Sequence, residues 1–302
     1  MRHLFAAALT ALLSLTATAQ NEWVTNGEFT TTMSPWVLGG AYSVNPGHEV
    51  GWDTTGRGAS DCFGVNAGGQ VTPSPYPPNT IEQQVLMIQG LTYEFRADAS
   101  GSRQSNPTVN NADIGTIWVE VDNVEIARLA FGGYTNNGLP GGEVKRAQIC
   151  GRFTPATTGQ VTLKIFFQRQ YLGGAANPRM NLDNVSIRDV AGPTYWIQGN
   201  RKIGTTVTHQ VRGTPNALFG TFVAAGENPT GTSFPGIGGL WFLDLATTTT
   251  LALGVMDGSG AGSFSRAIPA DPVFLSTPLF YQAAEWTTAI QFGQYFGVVC
   301  TQ

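Results

Sequence analysis

Between residues 20 and 190, apolar and polar side chains alternate with a period of two. In VTLKIFFQ, Val161, Leu163, Ile165 and Phe167 take one side, and Thr162, Lys164, Phe166 and Gln168 the other. LTYEFRA aligns Leu91, Tyr93, Phe95 and Ala97, and TIWVEV aligns Ile117, Val119 and Val121. Successive residues of a strand point to opposite faces, so the pattern predicts strands with one buried face, and the Gly, Pro and Asn between them predict turns. A series of this kind makes an antiparallel sandwich. GGQVTPSPYPPNT, with its four prolines, reads as a loop between two of its strands.

AGPTYW, residues 191–196, interrupts the series and predicts a domain boundary. After it, TTVTHQV, ALFGTFVAAG, GLWFLDL, TTTTLAL, GSFSRAI and PLFYQAAEW are again short strand-like runs separated by Gly and Pro. They predict a second, smaller β-sandwich over residues 191–302, with no internal repeat relating it to the first. DGSGAGSF, with Asp257 as its one carboxylate, reads as a Gly-rich hairpin rather than a calcium loop.

The first twenty residues stand apart from both series. Arg2 and His3 precede an apolar run from Leu4 to Leu15, and Ala17-Thr18-Ala19 supplies small residues before Gln20. This predicts a signal peptide over residues 1–19 and an exported chain, secreted or held at the cell surface. The run is short for a bilayer span, no cysteine follows the cleavage point for a lipid anchor, and FGVVCTQ at the end carries no second span or sorting tail. Only 12% of residues are charged and the net charge is −4, which gives no polybasic patch for nucleic acid or anionic membrane. With 38 glycines, much threonine and few helix-forming runs, the composition agrees with strands and turns.

Three cysteines bear on the redox state. In an oxidising compartment Cys62 and Cys150 can pair within the first domain, leaving Cys300 odd; no spacing rule demands that disulfide, and free thiols are the alternative. Zinc is not expected, because no two cysteines are close and the mature chain keeps only His48 and His209.

Catalytic patterns are sparse. There is no Gly-x-Ser-x-Gly elbow, His48-Glu49 lacks a second histidine at metalloprotease spacing, and no phosphate loop or dinucleotide fingerprint occurs. EVDNVE invites comparison with the Glu-x-Asp-x-(x)-Glu strand of laminarinase-like glycoside hydrolases, with Glu120, Asp122 and Glu125 as its acids. Asp122-Asn123 are turn formers, however, and an unbulged strand sends Glu125 to the face opposite Glu120. The expectation is a tight hairpin at Asp122-Asn123, with hydrolysis as a second alternative.

Stacking on sugar fits the residues better than bond cleavage, because sugar C–H faces pack on aromatic rings while amides and arginine bind hydroxyls. Trp118 and Phe166 occupy outward positions among the polar Glu120, Lys164 and Gln168. They serve either a sugar platform or the covering of that sheet face; both readings stay open. Trp52, Tyr134 and Tyr171 lie in Gly/Asn-rich segments, with Gln168 and Arg169 near Tyr171. Trp52, Trp118, Tyr134, Gln168, Arg169 and Tyr171 are therefore the candidate ligand-binding residues. Trp23 and Trp36 are expected in the core.

In order, WVTNGEFTTTMSPW, IEQQVLMIQGLTYEFRADAS, VEVDNVEIARLAF, FTPATTGQVTLKIFF and NLDNVSI resemble the carbohydrate-binding jelly rolls of the galactose-binding-like superfamily, families 4 and 9 in type. The resemblance spans residues 22–190. It implies an eight-to-ten-strand jelly roll, a glycan ligand and a structural calcium near the paired first and last strands. By that analogy Glu28 of NGEF and Asp183 of LDNV fall where calcium ligands can lie, with a plain turn role for Glu28 as the other reading. The second half resembles a C-terminal domain of secreted proteins of planctomycete-like bacteria, for which the resemblance implies no activity. The fold expected is thus all-β, a jelly-roll β-sandwich followed by a smaller one. The function expected is non-catalytic binding of extracellular polysaccharide. The alternative is a structural or adhesion protein of the cell surface without sugar specificity. No organic cofactor is implied, and no protein partner is indicated.

Overall fold

The computed structural model describes residues 22–40, 43–67, 77–103, 113–133, 144–169 and 178–301. The expected signal peptide, Tyr134 and Tyr171 lie outside them. Strands dominate. Among the described residues the only helix is a short 3-10 turn at Pro272–Leu275, and no helix is long and apolar enough to cross a membrane.

Strands are numbered in chain order. One five-stranded sheet runs β1 (Val37–Gly39), β4 (Asn79–Met87), β9 (Gly159–Gln168), β6 (Thr116–Val121), β7 (Val124–Ala130). The other runs β2 (Ser43–Trp52), β3 (Ser60–Ala67), β10 (Pro178–Asp189), β5 (Tyr93–Arg103), β8 (Lys145–Phe153). All pairings within both are antiparallel. Their facing sides enclose one apolar core, in which Val161, Leu163, Ile165 and Phe167 meet Phe63, Phe95, Leu182 and Ile187. The two-residue period therefore did its expected work: the sheets are a β-sandwich of jelly-roll type. Trp36 is buried in the core and Trp23 packs against its edge.

The opening segment closes along β10. Val185 N donates to Gly27 O at 2.9 Å and Trp23 N to Ile187 O at 3.0 Å. The Glu22 carboxylate accepts from Ile187 N and Arg188 Nε. Gly27 is required here, since a Cβ would sit 1.8 Å from Val185 O.

The second half builds three sheets. They are β11 (Thr194–Gln198), β12 (Thr206–Arg212), β18 (Ala261–Ala267); then β15 (Ile237–Gly238), β20 (Ile290–Val298), β19 (Leu279–Trp286), β13 (Leu218–Ala224), β17 (Thr249–Val255); and the pair β14 (Glu227–Thr232), β16 (Trp241–Leu243). Two separate apolar clusters lie here, one around Tyr195, Tyr281 and Phe296, the other around Trp241 and Phe292. DGSGAGSF differs from the hairpin expected: β17 and β18, which it joins, belong to different sheets. Asp257 holds that turn, its Oδ1 accepting from Ser259 N and Ala261 N.

The Cys62–Cys150 disulfide does not form in the structure. All three cysteines are free and buried. Cys62 on β3 and Cys150 on β8 share one sheet with β10 and β5 between them. Three strand spacings, roughly 14 Å, exceed what a disulfide can bridge. Burial pushes the Cys62 thiol up to about 11 and Cys150 higher still, so neither is a ready nucleophile. Titration with a thiol reagent in denaturant, without reductant, is expected to count three thiols; a count of one would restore the disulfide.

His209 on β12 is enclosed by aromatic rings. It stacks on Phe264 at 4.7 Å, and its Nδ1 lies 2.6 Å from Tyr195 Oη. Burial, with Arg266 adding to it, pushes the imidazole from 6.5 down to about 4. Between those values the unfolded chain takes up a proton that the folded chain refuses. This contribution to stability is complete above pH 6.5 and is lost as the pH falls toward 4, with a slope of up to about 1.4 kcal/mol per pH unit. Asp183, whose carboxyl is raised to about 6, contributes with the opposite sign, so the comparison must be with a variant. The unfolding free energy of the wild type is expected to fall more steeply with acid over this window than that of His209→Gln. Equal slopes would refute the assignment.

Candidate functional site

The sheet β2–β3–β10–β5–β8 has a polar outer face. Along β5, Tyr93, Phe95, Ala97 and Ala99 enter the core, so Glu94, Arg96, Asp98 and Ser100 project the other way. Such a face would ordinarily meet water, yet Glu94, Asp98 and Ser100 are buried. The second half lies against it. Arg96 Nη2 donates to Tyr195 O at 2.8 Å, and Arg152 Nη1 donates to Gly192 O and Arg212 O at 2.9 and 3.0 Å. The Arg96 guanidinium also sits 4.8 Å over the Phe296 ring. The connection fits closely against β20: a Cβ on Gly293 would lie 1.8 Å from Pro193 O.

At this junction a cleft of about 460 Å³ opens. Its wall on the first half includes Glu94, Arg96, Asp98, Gln148 and Asn184, and its wall on the second includes Gln294 and Tyr295. Asn184 reaches it because β10 bulges. The β10/β5 register shifts between Asp183 and Ser186, and Asn184 takes φ 51°, a conformation asparagine tolerates. Its Nδ2 then donates to Asp98 Oδ2 at 3.0 Å. The Asp183-Asn184 pair is therefore an interior bulge of the closing strand.

Four buried atoms of the cleft-lining residues have unmet hydrogen-bonding capacity within the protein: Glu94 Oε2, Arg96 Nη1, Gln148 Oε1 and Gln294 Nε2. Two accept and two donate. Their residues are otherwise fixed: Arg96 Nε binds Glu94 Oε1 at 2.8 Å, and Gln148 Nε2 reaches Asp98 Oδ1 at 3.4 Å. Leaving such groups unpaired costs about 1–3 kcal/mol each, which a hydroxyl-rich ligand or water offsets. The glutamine amides turn about broad terminal torsions and can present either oxygen or nitrogen.

The sequence-derived platform looks different. Arg128, Trp118 and Phe166 form one cross-strand row over β7, β6 and β9. The Trp118 and Phe166 rings are parallel within 5° and 4.7 Å apart, which is offset stacking rather than two rings laid side by side. The Arg128 guanidinium lies 5.0 Å over the Trp118 ring on the β7 side, and Lys164 Nζ 5.6 Å from the Phe166 centroid. Trp118 Nε1 donates to Glu120 Oε1 at 3.0 Å. Both faces of the indole are thus occupied by the protein itself. Trp52 belongs to the other sheet, its Nε1 donating to Ser100 Oγ at 2.9 Å, so it does not join Trp118 in one platform. Gln168 neighbours Phe166 on β9, whereas Arg169 is buried and donates from Nε to Asp113 O at 2.9 Å.

Asp122 and Asn123 make the expected tight hairpin, with φ 49° and 65°. The strand is not unbulged, however: a register shift between Val119 and Glu120 sets Glu120 opposite Glu125, so the two share a face. Their partners still differ from those of a glycosidase pair. Glu125 is clamped by Arg128, which holds its carboxyl below the usual range, whereas a general acid needs it raised.

Glu28 and Asp183 approach closely enough to interact through their charges. Burial raises the Asp183 carboxyl to about 6, with Asp98 and Glu28 adding to the rise. The Asp183 carboxylate is engaged by the protein itself. Asp183 Oδ2 accepts from Ser60 Oγ at 2.6 Å and Oδ1 from Asn184 N at 2.7 Å. Among the described residues no three His, Cys, Asp or Glu side chains converge on a metal position. EDTA is accordingly expected to leave the melting temperature unchanged; a lower value restored by added calcium would contradict this.

No family model matches the chain, and no curated protein matches it in sequence. Among solved structures it is similar to TmCBM61, solved in complex with β-1,4-galactotriose, with 14% identity and a TM-score of 0.35 over 56% of this chain and 99% of that one. A family 16 carbohydrate-binding module shares 15% identity at a TM-score of 0.32, over 55% and 98% of the two chains. A GH2 β-galacturonidase from Eisenbergiella tayi is matched over 93% of this chain and 43% of its own, with 9% identity and a TM-score of 0.33. At these scores the likeness carries no argument about ligand or activity, which must come from the cleft itself.

The sequence reading missed Glu94, Arg96, Asp98, Gln148 and Gln294. A signal was present in YEFRADAS, where three successive outward positions are Glu, Arg and Asp. What it lacked was the information that this face is covered.

Proposed function

We propose that this is an exported, non-catalytic carbohydrate-binding protein whose sugar site is the junction cleft. In this reading residues 20–190 are a jelly-roll domain and residues 191–302 a second domain that supplies one wall. The observation that carries it is that four of the residues lining one polar cleft each hold a buried atom without a protein partner, two acceptors and two donors. A sugar hydroxyl both donates and accepts, so a pair of neighbouring hydroxyls satisfies such a set, and the aromatic Tyr295 also lines the cleft. The low-carboxyl state of Glu125 supports the non-catalytic reading.

A structural or adhesion role is the second reading. Leu218, Leu253 and Val255 are exposed on neighbouring strands β13 and β17, an apolar patch suited to assembly.

Affinity electrophoresis of the whole chain in gels containing soluble polysaccharides separates the two. Retardation by at least one neutral glycan is expected, weakened about tenfold or more in Gln148→Ala/Gln294→Ala, the loss of one to two hydrogen bonds. Trp118→Ala, on the far sheet, is expected to keep the affinity. No retardation by any glycan, or loss only with Trp118→Ala, would sink the cleft reading; concentration-dependent self-association without glycan binding would favour assembly.

A further inference from the structure

The charge of the cleft is distributed unevenly. Five carboxylates line it, Glu22, Glu28, Glu94, Asp98 and Glu227, against three guanidiniums. Two of those guanidiniums are already neutralised: Arg96 pairs with Glu94 at 2.7 Å and Arg188 with Glu22 at 3.0 Å. What faces a ligand is then Glu28, Asp98 and Glu227, with Arg57 as the one cation outside those pairs. Asp183, just behind the bulge, adds a fourth carboxyl whose ionisation is opposed by burial first and by Asp98 and Glu28 besides. The hydrogen-bond partners of Asp98 are amides, Gln148 and Asn184, but the guanidiniums of Arg96 and the buried Arg201 offset part of its charge, so the exposed Glu28 and Glu227 carry the larger share.

On this ground we infer that the cleft selects neutral glycan segments and excludes uronate-bearing ones, with the exposed Glu28 and Glu227 of its lining setting the repulsion. The inference rests on the cleft being the sugar site. A carboxylate brought within several ångströms of these groups, in a site of reduced dielectric, is penalised by roughly tenfold or more in affinity. A hydroxymethyl group at the same carbon meets no such penalty and finds donors and acceptors in Gln148 and Gln294.

The test uses the full chain, in EDTA so that no cation bridges carboxylates, with laminarin, soluble galactan and glucomannan as probes. Each is offered neutral and after oxidation of its C6 hydroxyls to uronate. The neutral form of a retained glycan is expected to bind about tenfold more tightly than its oxidised form at low salt. The gap should narrow in about 0.5 M salt, where the Debye length falls to roughly 4 Å, and also in Glu28→Gln, an exposed position whose replacement spares the fold. Equal or tighter binding of the oxidised form overturns the selectivity while leaving the sugar site intact. Retention of neither form by any probe overturns both.

Discussion

A polar sheet face buried beneath a second set of sheets is the constraint from which most of this structure follows. Taking carboxylates, guanidiniums and amides out of water is costly unless each finds a partner. Arg96, through Nη2, and Arg152, through Nη1, meet part of that requirement by donating across the junction to backbone carbonyls of the second half. Arg201, reaching in from the second half, is itself fully buried and senses the charge of Asp98. The junction thus joins the halves through directional hydrogen bonds more than through apolar contact, and each half keeps its own apolar clusters.

The same constraint bears on the unmet groups of the cleft lining. Where the second half lies close, as at Gly192–Pro193 and Gly293, backbone carbonyls absorb the donors. At the cleft, Glu94, Arg96, Gln148 and Gln294 retain capacity that the protein does not fill. The β10 bulge at Asn184 adds one more amide to that region by turning a residue that regular pairing would have placed elsewhere. On the opposite sheet the outer face reached a different solution. Trp118, Phe166, Arg128 and Lys164 satisfy one another in a stack, leaving the ring faces closed.

The strands of the first sandwich were legible because a two-residue period reports directly on which side of a sheet is buried. Val161 to Phe167 and Tyr93 to Ala97 fell into the core by that rule alone. The hairpin at Asp122-Asn123 was legible for a related local reason, since both residues adopt positive φ readily. The site was not legible in the same way. Glu94, Arg96 and Asp98 have the pattern of a solvent face, and no local signal distinguishes a face wetted by water from one covered by a distant segment. Trp118 misled for the mirror-image reason: an aromatic at an outward position looks available until its neighbours across the strands are known.

Local chemistry and period, then, determined the all-β character of the chain, the inward set of each strand and the sharpest turn. They depend on neighbours a few residues apart. Tertiary structure alone decided that Cys62 and Cys150 stand three strands apart, that Glu120 and Glu125 share a face, and that a polar sheet face would be closed over. Those outcomes depend on strand order, on a one-residue shift of register and on packing between halves distant in sequence, none of which leaves a trace in the spacing of residues along one strand.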